Sequence, residues 1–308
     1  MRSFFGAWLV SLRRTRADWP IVATAALIAL LAASLLAAGP IYSAAVSEAG
    51  LHRLVASAPT TDANIEVSVR TNPAEAAAAI DTVNGLLRDT VAQPDLEIVT
   101  ALDSDTFALP GQDESAVRDL VVLGALDGVR EHADLVGGAW PETAAADQPI
   151  QIAVLEPIAA TLGMQVGDRL DLTSRLASDV TLDVLVSAIY RPKDTHAPYW
   201  WDDPKLLQGL SESTNYRTFG PVLTTRDELL NRVGGSSVHI TWHAFPAVEA
   251  LRIADIGGLR ARTELLPIRV TDALHGAFPT VRTGLPALLA ASEQSLLVSR
   301  TGVLLVLV

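Results

Sequence analysis

A chain of 308 residues, 49% hydrophobic and 19% charged, is long enough for two domains and too apolar on average to be a disordered tail. It has no cysteine, which excludes disulfides, thiolate nucleophiles and Cys-ligated zinc or iron–sulfur sites. The net charge of −12 is uneven, because residues 1–18 carry Arg2, Arg13, Arg14 and Arg16 against the single acid Asp18; the acidic remainder repels phosphate backbones, so nucleic acid is not an expected partner.

Within residues 1–18, Phe5, Trp8, Leu9 and Leu12 recur at spacings of three, four and seven, with Arg2 and Arg13 along the edge of that stripe. Together with Arg14 and Arg16 this predicts a short basic helix lying on the inner membrane surface. Asp18-Trp19-Pro20 predicts a break, since Pro20 disfavours helical geometry at Trp19 and suits the first turn of a new helix. Residues 21–39 then contain no charge, which matches the ~20 residues that cross a hydrocarbon core. A membrane-spanning helix is predicted over 19–41, with Trp19 and Tyr42 at its two boundaries and the arginines holding the N-terminus in the cytoplasm. A cleaved signal peptide ending in Ser43-Ala44-Ala45 competes with this, but its apolar core would exceed the usual ~7–15 residues.

An α+β extracytoplasmic domain is predicted over 42–283. Matched to itself at an offset of 173 residues, the chain sets Ile65 over Val238, Pro73 over Pro246, Ile80 over Ile253, Gly85 over Gly258 and Leu86 over Leu259. Both copies read as an alternating strand and a Pro-initiated helix, followed by a second strand at Leu96-Glu-Ile-Val and Leu266-Pro-Ile-Arg-Val. Asn72 is the expected cap of the first helix, with Glu75 three residues on. Two such units, 42–129 and 236–283, pair as βαβ repeats in a ferredoxin-like or porter-like sheet. The alternation places His239 and His243 opposite Ile240 and Trp242, facing solvent.

Residues 130–235 are then an inserted, mostly-β subdomain of barrel or sandwich type, with strands near Ile150, Asp168 and Val180. Gly163 ends a short helix and Gly167-Asp168 turns into a strand. Thr225-Arg-Asp-Glu228 has capping-box spacing before a short helix. The densest chemistry is at Asp194, His196, Tyr199, Trp200 and Trp201, followed by Asp202 and Asp203. Aromatic rings beside acids suit a cationic or sugar-like ligand or a partner, and equally a loop packed on its own tryptophans. No Gly-x-Ser-x-Gly elbow, phosphate loop or readable acid pair occurs, so no catalytic residue, metal or cofactor is expected. Residues 284–308 read as a stalk helix that becomes wholly apolar after Arg300, the expected start of a second span.

Three features carry a family resemblance. The order is a basic amphipathic start, a span, an outer domain and a second span. Ala153 opens a "helix, Leu-Gly163, x-x-x-Gly167-Asp168, strand" segment. Residues 189–201 follow with Tyr190, His196, Tyr199, Trp200 and Trp201. In these the chain resembles the FtsX-like, or MacB-like, permeases of ABC transporters. The resemblance implies a membrane subunit that handles a lipid, lipoprotein, peptide or drug-like molecule outside the cytoplasm. It also implies a homo- or heterodimer of permease subunits embedded in the lipid bilayer, with ATP hydrolysis in a separate cytoplasmic ATP-binding subunit and no enzyme activity in this chain. The alternatives are an FtsX-type subunit that activates a cell-wall hydrolase, a single-pass anchored binding or sensor domain, and a secreted enzyme.

Overall fold

The computed structural model describes residues 19–112, 118–176, 180–233, 235 and 237–294; inside its first helix the side chains at 22, 35–41, 43 and 44 are outside that description. The surface helix expected from Phe5, Trp8, Leu9, Leu12, Arg13, Arg14 and Arg16, and the wholly apolar end expected after Arg300, lie outside the described residues. The chain forms two units, Met1–Arg53 and Leu54–Val308.

The first unit holds most of helix α1 (Trp19–Ala56). This helix continues for fifteen residues beyond the expected end at 41, through Gly39-Pro40, so a proline that removes one helical hydrogen bond does not break it. Every described side chain from 19 to 34 is exposed, Ile21 at 70% and Ile28 at 63% among them. Among the described residues no helix is long and apolar enough to cross a membrane. In the charge-free stretch the longest run of described side chains is 23–34.

In the second unit the sheet strands are β1 (Ile65–Thr71), β2 (Glu97–Ala108), β3 (Arg118–Leu126), β4 (Ala133–Gly138), β5 (Ile150–Leu155), β6 (Arg169–Ser174), β7 (Thr181–Pro192), β8 (Leu210–Glu212), β9 (Tyr216–Leu223), β10 (Val238–Phe245) and β11 (Thr280–Arg282). Their order is β11-β1-β10-β2-β3-β9-β5-β7-β4, with β6 bridging β2 and β7 and β8 beside β9. On β1, Ile65, Val67 and Val69 are buried and alternate with more exposed Glu66, Ser68 and Arg70, the period of a strand covered on one face. Helix α2 (Pro73–Val91) buries Ala76, Ile80, Val83 and Leu87, an i, i+4, i+7, i+11 stripe. Asn72 caps it by accepting the Ala74 N–H at 2.9 Å, and Asn72→Ala is expected to cost about 1 kcal/mol in chemical denaturation. An unchanged midpoint would mean that water serves the N–H equally well.

In the order β11-β1-β10-β2 each strand is antiparallel to its neighbour, so β1-α2-β2 and β10-helix-β11 interleave as a split β-α-β pair. The second half departs from the self-match. Pro246 does not start a helix: two 3₁₀ turns, Val248–Ala250 and Ile253–Asp255, intervene, and helix α3 is Ile256–Ala273. The strand expected at Leu266–Val270 is helical. Leu266 and Val270 belong to a buried stripe with Ile256, Leu259 and Thr263, and a helical period cut to five residues imitates alternation.

The segment 130–235 is β-rich but does not close into a subdomain of its own. β9 pairs in parallel with β3, and β6 pairs with β2, which joins both halves into one sheet. The reason lies in the strands: Phe219 to Leu223 of β9 and Leu123 to Leu126 of β3 are continuously buried, as in parallel strands covered on both faces.

Candidate functional site

The aromatic loop is anchored at both ends. Its tip is a turn in which Asp194 Oδ1 accepts the His196 N–H at 2.9 Å, and both side chains are exposed, 67% and 95%. Beyond it Pro198–Trp200 forms a 3₁₀ turn, and Trp201 and Asp202 take left-handed φ values of 55° and 52°. Tyr199, Trp200 and Trp201 are all buried. Tyr199 stacks on His132 at 3.8 Å and its hydroxyl donates to the Asp127 carbonyl at 2.7 Å; burial pushes its phenol pKa well up, so it stays a donor. The three rings are therefore spent on packing and present no gripping surface, while Asp194 and His196 stand apart from them in water.

Trp201 reaches β10. Its ring stacks on His243 at 4.1 Å with 1° between planes, and Phe245 meets it edge-on at 5.7 Å. His243 is thus buried, with 6% of its side chain exposed, rather than facing solvent as strand alternation alone suggests. Burial pushes its pKa down to about 4, although the Glu66 carboxylate stands 3.8 Å away; Arg282, 3.5 Å from Glu66, draws on the same carboxylate. His239 is half-buried, and burial, Arg70 and Lys205 lower its pKa. Its register partner on β2 is Asp103, which burial pushes up to about 6, with Lys205 opposing and Asp203 adding to the rise.

Behind the Tyr199 anchor lies an open cleft of about 380 Å³, lined by residues 125–131, Trp140, Pro141 and residues 223–226. Its floor comes from the ends of β3 and β9, parallel neighbours whose C-terminal residues Leu126 and Leu223 are buried. At the β9 end the chain enters helix α4 (Arg226–Asn231), where Thr225 Oγ1 accepts the Glu228 N–H at 3.2 Å. The expected box stops there, because Glu228 turns inward rather than back to its cap. Its fully buried carboxylate accepts the Ala144 N–H at 2.7 Å and pairs with Arg232, whose other nitrogen donates to the Ala146 and Gln148 carbonyls. The segment carrying Trp140 and Pro141 is so tied to α4. Opposite, one Arg226 nitrogen donates to both Asp127 oxygens at 2.7 and 2.5 Å, and Arg130 donates to the Pro141 carbonyl at 3.0 Å. Of the charged residues lining the cleft, Arg226 and Asp127 are thus paired with each other, and Arg130 is held on a backbone carbonyl. Among the described residues no three His, Asp or Glu side chains are placed to hold a metal ion.

No family model matches the chain, and no curated protein does. Among solved structures, a domain assigned to a permease protein of Porphyromonas gingivalis is similar over 72% of this chain and 91% of its own, with 12% identity and a TM-score of 0.30. The periplasmic region of MacB from Actinobacillus actinomycetemcomitans is similar over 72% and 88%, with 10% identity and a TM-score of 0.35. At these values neither likeness carries the chain into a family.

Of the residues singled out in the sequence, Thr225 lines the cleft and Tyr199 touches its frame from behind. Thr224, Arg226, Trp140 and Glu228 carry no spacing that marks them as neighbours, because β3, β9 and the 139–149 segment meet only through sheet pairing. A trace was present at Glu228, an acid whose capping role the fold then redirects.

Proposed function

We propose that this chain is the membrane subunit of an ABC-type permease, with its α+β unit outside the cytoplasm and a separate ATP-binding subunit inside. The observation that carries this is helix α1, whose described side chains from 19 to 34 are all exposed and include Trp19, Ile21, Leu27, Ile28, Leu30 and Leu31. In water each such large side chain forgoes roughly 1.5–3 kcal/mol of burial, and a helix apolar all round belongs in a core or a bilayer. The basic residues Arg2, Arg13, Arg14 and Arg16 before it favour a cytoplasmic N-terminus. The Gly163 and Gly167-Asp168 segment supports the family reading locally: Gly163 ends the helix Glu156–Leu162 at φ 68°, and Asp168 closes the turn into β6 by accepting the Gln165 N–H.

On this reading the lipid bilayer is the first partner, a second permease subunit the next, and this chain performs no chemical step. Topology reporters test it. A reporter active only outside the cytoplasm should be active after Pro110, a surface turn, and silent after Val308, and an ATP-binding subunit should co-purify. Activity at both positions would refute the permease and leave the anchored binding domain; a co-purifying cell-wall hydrolase would favour the regulatory subunit.

A further inference from the structure

The chain is strained where the aromatic loop meets β10. Trp201 and Asp202 hold left-handed φ values of 55° and 52° in succession, and for a bulky residue such a φ persists only under constraint from its surroundings. That constraint is a contact between rings. Among the described hydrogen bonds, those from the Trp201 and Asp203 N–H groups close within the loop, on the Pro198 and Trp200 carbonyls, and none joins residues 201–203 to the sheet. What seats the segment on β10 is therefore the Trp201 indole, stacked on His243 and met edge-on by Phe245. The seat carries a defect of its own, because His243 Nδ1 is buried without a hydrogen-bond partner, a condition that contact with water relieves. A proton on His243 acts on the same seat. The charged side chains on the elements around the imidazole are Glu66 on β1, Glu97 on β2, Arg282 on β11 and Asp202 and Asp203 on the loop, with His239 four positions away on β10 itself. Of these Glu66 alone comes within ion-pair distance, 3.8 Å, and it is shared with Arg282. Burial outweighs that one partner and keeps the ring neutral, so the charged ring is better served by water than by the indole.

We propose that residues 201–203 form a latch on β10 that opens when His243 takes up a proton, swinging out from the Tyr199 anchor and uncovering the Glu66–His243 pair while the sheet stays intact. The latch does not depend on the membrane reading. Amide hydrogen exchange of the full chain in detergent micelles tests it, read by mass spectrometry and corrected for the intrinsic rate at each pH. With the imidazole titrating near 4 under the closed latch and near 6.5 once it is open, protection at 201–203 should fall roughly thirtyfold from pH 6.5 to pH 4.5. Buried amides of α2 exchange through opening of the whole unit, where His243 and Asp103 titrate with opposite sign, and should keep their protection within about threefold. His243→Phe keeps a ring under Trp201 and should make protection at 201–203 independent of pH. If that variant does not fold, His243→Gln, uncharged at both pH values, gives the same reading. Equal protection at the two pH values in the wild type overturns the proposal. So does the same fall in the folded variant, or a fall shared equally by α2, which would be unfolding of the whole unit.

Discussion

Glu228→Ala is expected to destabilise the protein by roughly 3–5 kcal/mol, the range for breaking a buried ion pair from one side. The carboxylate is fully buried and accepts three hydrogen bonds, one from the Ala144 N–H and two from a single Arg232 nitrogen at 3.1 and 3.0 Å. Its removal leaves the half-buried Ala144 N–H without an acceptor and Arg232, 24% exposed, without its counter-charge. Arg232 also holds the Gln148 carbonyl at 2.6 Å, so the loss reaches the 139–149 segment and one wall of the cleft. Glu228→Gln keeps an acceptor for Ala144 and should cost less, about 1–3 kcal/mol. Urea denaturation gives the magnitude, and hydrogen exchange at Ala144 gives the place. A loss under about 1 kcal/mol with Ala144 still protected would show that water replaces the carboxylate.

The second large effect is on pH dependence and involves two groups of opposite sign. His243 titrates near 4 in the folded chain against 6.5 when exposed. Between these values the unfolded chain binds the extra proton, so stability is full above about pH 6.5 and falls as pH drops toward 4, by roughly 3 kcal/mol. Asp103 titrates near 6 against 3.8. There the folded chain binds the extra proton, and stability falls as pH rises through 6, by a similar amount. In the wild type the two slopes oppose each other, and the profile between pH 4 and 6.5 should be nearly flat. His243→Phe retains a ring to stack on Trp201 and removes only the first slope. The variant should therefore become more stable toward acid, relative to wild type, by roughly 3 kcal/mol between pH 6.5 and 4. Parallel midpoints for the two proteins across that range would mean that water or Glu66 stabilises the imidazolium and that burial does not dominate.

Both effects follow from contacts that cross the sheet. What local pattern determines is legible residue by residue: the charge-free run inside α1, the alternation of Ile65, Val67 and Val69, the Asn72 cap, and the left-handed Gly163. Each depends on neighbours within a few positions, and periodicity and backbone freedom act at that range. The same locality explains the miss at Leu266–Val270, where five residues cannot tell a helical stripe from an alternating one. It also explains why α1 continues past Pro40: one missing hydrogen bond does not outweigh the helical residues on either side.

The tertiary structure decided the rest. His243 reads as solvent-facing because alternation assigns it a face, but only the fold brings the Trp201 ring, forty-two residues away in sequence, onto that face. Whether a segment is a subdomain or part of a common sheet depends on the β3–β9 pairing; a continuous apolar run can mark each strand as covered on both faces but does not name its partner. The cleft exists because that pairing sets the C-terminal ends of β3 and β9 side by side and because Glu228 holds the Ala144 N–H of the 139–149 segment. The sequence alone determined an apolar N-terminal helix and a β-rich acidic domain. Which polar groups stay buried without partners depends on distant segments meeting, and local pattern holds no record of that.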